Sequence, residues 1–521
     1  MVLHKIIQYF ASFVRASQIK RLLMSRCLGL LVLSVIVCFP ILSVAMATDD
    51  TQAISSNPSI VAQQDMLQLN SVQPSTERKA DVPDEVLPLT VLVPQVLLLD
   101  LAGVNPIFGL HYRELTLSPN TLSSADMARV QADVTGYWRY IKSFAQCNNG
   151  APVDTVPTVI PTDLQYQRVL KQVTHLVQLD ATDPWGTLVL DEKLTVGMSH
   201  PFVDTIAKRL WLLGDLAIEP TTNFVYSEEL VVGVKRFQQR HGLKQDGVIG
   251  KQTLYWLNQS PKARAVLLAK NTIRQQVFER KLEPSYLLIN VPAFEMILVD
   301  NGTTVLNSKV IVGKSSRQTP LLDSQISSVV LNPSWRVPSS ILRRDILPQI
   351  RRNGHYLNER QFDVYDYNGQ LVQHMPEEWQ DLASTSFPYQ LVQRPGAKNA
   401  LGKYKFHFDN SFSIYLHGTS EPSLFNKDDR ALSSGCIRIE KVTELAQWFK
   451  EHLVKDKRLW DKLAPDVTEP QWFSLSQKLP VHLVYWTAWL DDSGQEQYRS
   501  DIYHLEAELT NAVPATVLDL N

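Results

Sequence analysis

The chain has 521 residues, 44% of them apolar and 20% charged, with a formal net charge of −2. That length calls for more than one domain, and the apolar share is enough to fill sizeable cores. The near-neutral balance, without a strongly basic stretch, argues against nucleic acid as a partner. Residues 1–47 hold Lys5, Arg15, Lys20, Arg21 and Arg26 and no acid, followed by the apolar run LGLLVLSVIVCFPILSVA and the small-residue site Ala45-Met46-Ala47. This is the pattern of a signal peptide, or of an uncleaved signal anchor since 18 apolar residues can just span a bilayer. Either way the rest of the chain is expected to leave the cytoplasm, with membrane contact only through this segment. Cys27 and Cys38 go with it, which leaves Cys147 and Cys436.

Residues 48–85 are polar and Pro-containing and read as a flexible linker. Residues 86–200 form an N-terminal scaffold region of unassigned role. Its first stretch, EVLPLTVLVPQVLLLDLAGVNPIFGL, is apolar enough for a membrane. However, Pro88, Pro94, Pro106 and Asp100 favour an extended or short helical segment docked on a globular domain.

Between 201 and 260 the periodicity sharpens into three short helices. Ile206, Leu210 and Leu213 share one face, and Leu230, Val234 and Phe237 share another behind an N-capping Ser227. Asp246-Gly247 turns the chain into a third helix carrying Leu254 and Leu257. The string GVKRFQQRHGLKQDGVIGKQT resembles the peptidoglycan-binding domain of many cell-wall enzymes, which implies contact with glycan strands or a scaffold role. Residues 261–283 read as a connector helix.

From 284 to 506 short β-rich runs alternate with turns, as in YLLINVPAFEMILVD, TTVLNSKVIVG and FSIYLHG. Residues 339–395 are more helical and polar and read as a lid insertion. Residues 480–504 read as a late hairpin closing the sheet, and 507–521 as a tail. The fold class expected is therefore α+β and multidomain: a β-rich catalytic domain with a helical lid, beside a three-helix module.

His417 ends a strand 19 residues before Cys436, which follows Ser433-Ser434-Gly435. A nucleophilic thiol needs a base and backbone N–H groups for an oxyanion, and this stretch offers both. A buried or disulfide-bonded cysteine fits the spacing equally well. No HExxH, CxxC pair or metal-spaced acidic cluster occurs, so neither metal nor cofactor is expected.

The ordered motifs INVPAF, VIVGKSSRQTP, LNPSWRVPSSI, RPGAKNALGKYKFHFDN, IYLHGTS and SSGCIRIE resemble the large, periplasmic branch of the L,D-transpeptidases of bacterial cell walls. Ser434 stands where many members carry His. The resemblance implies Cys436 as nucleophile, His417 as base, and the Gly418 carbonyl holding the other imidazole nitrogen. It implies Gly435 and Cys436 N–H groups as oxyanion hole, with Tyr415, Ser433, Ser434, Arg438 and Trp335 lining the site. The implied partners are donor and acceptor peptidoglycan stem peptides. The implied reaction is a 3→3 cross-link through a thioester with release of D-alanine, sensitive to carbapenems. Hydrolysis of the same thioester, or a non-catalytic wall-binding scaffold, are the alternatives.

Overall fold

Helix α1, Leu89–Ala102, is apolar on every side and runs on through Pro94. Such a helix is stable only when surrounded. Leu92, Val96, Leu98 and Leu99 are fully buried, at about 1.5–3 kcal/mol each, which outweighs the roughly 3 kcal/mol of an interior proline. The extended or short helical segment expected here is thus one 14-residue core helix. The computed structural model describes residues 86–117, 119–147, 159–221, 224–279, 282–463 and 469–507. The export segment (1–47), the linker (48–85) and nearly all of the tail (507–521) lie outside the described residues. Among the described residues no helix is long and apolar enough to cross a membrane.

Helices α2 (Ile107–Leu117), α3 (Ser124–Cys147) and α4 (Leu164–Thr182) complete a helical layer with α1. Next come the three short helices α5 (Val203–Leu212), α6 (Glu228–Arg240) and α7 (Lys251–Leu257), around Ile206, Leu210, Val234, Phe237 and Leu257. The Ser227 hydroxyl accepts the Leu230 N–H and caps α6. Helix α8, Pro261–Glu279, does more than connect. Its Ala265, Leu268, Ala269 and Ile273 are buried against α1 and α4, so it belongs to the core of the helical layer.

The chain then turns to strands: β1 (Tyr286–Asn290), β2 (Glu295–Asp300), β3 (Thr303–Gly313), β4 (Leu322–Leu331) and β5 (Trp335–Arg336). Strands β6 (Phe362–Tyr365), β7 (Leu371–Val372) and β8 (Gln390–Gln393) follow, and after them β9 (Tyr404–Phe408), β10 (Leu416–His417), β11 (Ala431–Ser433), β12 (Ile437–Ile439) and β13 (Gln471–Val484). Nine strands form one sheet in the order β11-β3-β12-β10-β9-β4-β13-β1-β2, and β2 also pairs with β3, so the sheet curls back on itself.

The insertion at 339–395 carries more helix than strand and also adds strands to a small sheet. Strands β5, β8, β6 and β7 make a four-stranded sheet. With helices Leu347–Arg352 and Pro376–Ser384 it encloses a separate core of Ile350, Leu357, Phe362, Trp379 and Leu391. The alternating burial of FDVY and QLVQ is a true period of two, but four residues are too few for it to stand out from a polar surrounding.

The late hairpin also departs from expectation. Among the described residues, strands β14 (Ala488–Leu490) and β15 (Glu496–Tyr498) pair only with each other. Ala488 and Tyr498 join the core of the three-helix module, and Leu490 that of the helical layer. Asparagine side chains hold the backbone where it leaves the sheet. Asn290 holds Trp486 through both its amide groups, and Asn271 accepts the Thr487 N–H at 2.9 Å.

Candidate active site

Three neighbouring strands, β9, β10 and β12, place the chemistry on one sheet face. Leu416 and His417 stand opposite Phe406 and Lys405 on β9, and opposite Ile437 and Arg438 on β12. Alternation then sorts the side chains. Phe406, Leu416, Ile437 and Ile439 point into the main core and are fully buried. Lys405, Tyr415, His417, Cys436 and Arg438 take the other face.

The loop before β12 presents the thiol. Cys436 is a free, partly exposed cysteine. Gly435 before it has φ of +115°, a conformation that side chains resist. The Thr319 hydroxyl donates to the Gly435 carbonyl at 2.8 Å, and Tyr503 braces Thr319 in turn by accepting its N–H and donating to the Gly313 carbonyl. Ser433 was expected to line the site. It is buried instead, donating its hydroxyl proton to the Cys436 carbonyl at 2.6 Å and accepting the Gly435 N–H at 3.1 Å. Ser433 therefore clamps the loop. The Gly435 N–H, expected to serve an oxyanion, is engaged by that hydroxyl. The Cys436 N–H makes no backbone hydrogen bond among the described residues. Ser434 is exposed and accepts from Arg317 at 2.8 Å, while Arg317 also pairs with Asp345 of the insertion.

Burial pushes the Cys436 thiol up. The backbone N–H of Tyr415, the Lys405 ammonium, the Tyr415 hydroxyl and Arg438 all pull the other way without overcoming it. His417 is buried and pushed down to about 3, first by desolvation and then by the Arg438 charge. The Gly418 and Leu401 carbonyls lean on the ring and offset part of this. Its Nδ1 meets no acceptor at full hydrogen-bond geometry among the described residues, although the Gly418 carbonyl, the acceptor expected for it, acts on the ring. No hydrogen bond joins the thiol to the His417 ring among the described residues. The resting pair is consequently a neutral thiol beside a neutral imidazole. Alkylation of Cys436 by iodoacetamide is expected to be slow at pH 7 and to rise with pH beyond 9 without a plateau; a plateau near pH 6–7, followed by mass spectrometry, would mean a preformed ion pair.

Tyr415 lies beside His417, with ring centroids 5.6 Å apart. Burial raises its hydroxyl pKa, and the Cys436 charge adds to this. The indole N–H of Trp335 bears on the same hydroxyl, so Trp335 ties the insertion to the thiol site. Arg438 lies 4.0 Å from Glu421, and its Nε is buried without a hydrogen-bond partner.

Sequence reasoning did not single out Lys405, Thr319, Tyr503 or the Arg317–Asp345 pair. Lys405 sits inside a motif that was noticed, KYKFHFDN, but only the pairing of β9 with β10 shows that it shares a face with His417. Among the described residues no group of His, Cys, Asp and Glu is arranged to hold a metal.

Residues 284–460 match the model of the L,D-transpeptidase catalytic domain, and residues 199–257 that of a "Putative peptidoglycan binding domain". A curated Haemophilus influenzae protein described as "Putative L,D-transpeptidase" is 35% identical over 227 residues, which is 43% of this chain and 45% of that protein. The chain thus matches less than half the length of that relative. A crystal structure of an L,D-transpeptidase from Stackebrandtia nassauensis aligns at 12% identity over 56% of this chain and 94% of that one, with a TM-score of 0.22. One from Xylanimonas cellulosilytica aligns at 14% identity over 57% of this chain and 100% of that one, with a TM-score of 0.18.

Proposed function

From a chain that carries an L,D-transpeptidase catalytic domain and a module of the peptidoglycan-binding type, we infer that it is an exported acyltransferase acting on peptidoglycan stem peptides. The observation that carries this is the single sheet face bearing Cys436, His417, Tyr415 and Arg438.

In this reading a donor stem enters between the sheet face and the insertion, under Trp335. His417, neutral above about pH 3, takes the thiol proton as the substrate closes the gap between them; catalytic hydrogen bonds are often longer in the free enzyme. The Cys436 sulfur attacks the carbonyl of the amide between the L-centre of the position-three diamino acid and the terminal D-alanine. The Cys436 N–H is free to meet the oxyanion, and the Gly435 N–H joins once Ser433 releases it. The C–N bond breaks, His417 returns the proton to the departing amine, and a thioester remains. A side-chain amine of a second stem then attacks the thioester, with His417 accepting its proton; the C–S bond breaks, His417 returns the proton to the departing Cys436 sulfur, and a 3→3 cross-link forms. Access to this substrate requires export, in keeping with the segment at 1–47.

The test is mass spectrometry of the protein and its products after incubation with a disaccharide-tetrapeptide. The expected result is an acyl adduct on Cys436 and cross-linked dimers, both absent from Cys436→Ala. Tripeptides without dimers would make the enzyme an L,D-carboxypeptidase. Binding to sacculi without any adduct would leave only a wall-binding scaffold.

A further inference from the structure

Among the described residues, Lys405 is the one cation of this sheet face without an anion. Arg438 has Glu421 at 4.0 Å, and Arg317 at the rim has Asp345. The Lys405 ammonium makes no hydrogen bond or ion pair among the described residues. It lies 4.0 Å above the Tyr415 ring centroid. That contact holds the charge in place, directly across from His417 on the adjacent strand. It is half-buried, and its charge acts on both Cys436 and His417. A desolvated ammonium with only a π-face for company is a strong receptor for an anion.

We propose that Lys405 is a carboxylate-binding residue that recognises the donor stem by a free carboxylate next to the bond being broken. This rests on the acyl-transfer reading above. The scissile amide in that reading is followed by one residue, so the chain-terminal carboxylate lies within about 3.8 Å, one residue's length, of the attacked bond. A second carboxylate stands on the side chain of a diamino diacid at position three. Both are the same chemistry, and both come within reach of a cation beside the thiol. Lys405 forms and breaks no covalent bond in the step. It orients the donor so that the amide carbon faces Cys436, and it gives the leaving amino acid a counter-charge.

The experiment follows acylation of Cys436 by intact mass with three tetrapeptide donors: the free acid, the terminal α-carboxamide, and the position-three side-chain carboxamide. Wild-type protein should be acylated by the free acid and lose about tenfold to a hundredfold in kcat/KM with whichever carboxamide removes the Lys405 contact, the range of a charge-assisted hydrogen bond. Lys405→Met should lose a similar factor with the free acid, chiefly through KM, and should not distinguish that carboxamide from the acid. Lys405→Arg should recover part of the discrimination. Alkylation by uncharged iodoacetamide should change far less than KM; an equal loss there would make Lys405 a thiolate stabiliser and overturn the proposal. Equal use of all three donors by the wild type would also overturn it, without any variant. Failure of the wild type to be acylated by the free acid would instead overturn the acyl-transfer reading, and this inference with it.

Discussion

His417→Gln is expected to lower acyl transfer by about 10²–10⁴-fold while leaving the fold intact, the usual worth of a positioned general base. Glutamine comes close to the imidazole in size and polarity but cannot take up the thiol proton and return it to the leaving amine. The same substitution should change the response to acid. An ordinary histidine in the unfolded chain titrates near 6.5, whereas folded His417 resists protonation down to about 3. Between those values the unfolded state binds a proton that the folded state refuses. Stability therefore falls as pH drops through this window, by up to about 1.4 kcal/mol per pH unit for this one group. His417→Gln removes that contribution. His241, also buried and pushed well below its ordinary value, keeps part of the slope. Urea unfolding at pH 7 and pH 4.5 and kcat/KM for the donor check both halves. An unchanged acid slope would mean that His417 is more accessible than its burial implies, and near-normal turnover would remove it from the base role.

The loops and modules of this protein were legible in the sequence to the extent that local pattern controls them. The α5–α7 module was readable because Ser227, the Leu230-Val234-Phe237 spacing and Asp246-Gly247 each act within a few residues. The Cys436 loop was noticed for the same reason, since its small residues lie side by side. What was missed depends on pairing across long separations. Lys405 acquires its place only when β9 is laid against β10, and Ser433 turns inward only because the loop must satisfy its own N–H and carbonyl groups. The strands of the insertion went unread because two or four residues are shorter than a readable period. The β14–β15 hairpin has strand character, but nothing local says which core its Ala488 and Tyr498 will join. That choice is made by charges brought together from three parts of the chain.

Arg240→Met tests that choice, with an expected loss of about 3–5 kcal/mol. The Arg240 guanidinium is 2% exposed. It donates to both Asp215 carboxylate oxygens, at 2.8 and 2.7 Å, and to Glu496 of β15 at 3.0 Å. Gln172 of α4 donates to the other Glu496 oxygen. Arg264 of α8, also fully buried, meets His241 at 2.7 Å and lies over the Tyr498 ring. One cluster thus joins the three-helix module, the helical layer and the hairpin that follows the nine-stranded sheet. Methionine fills much of the space of Arg240 but strands two carboxylates in the interior, and an unpaired buried charge costs far more than the pair contributes. Because the hairpin leads on to Tyr503, which braces Thr319 and through it the Gly435 carbonyl, loosening it should also slow acylation of Cys436. The triple change Arg240→Met, Asp215→Leu, Glu496→Leu removes the stranded charges and should restore most of the lost stability, read by urea unfolding. If the single variant unfolds like the wild type, the cluster is not the clamp between the modules.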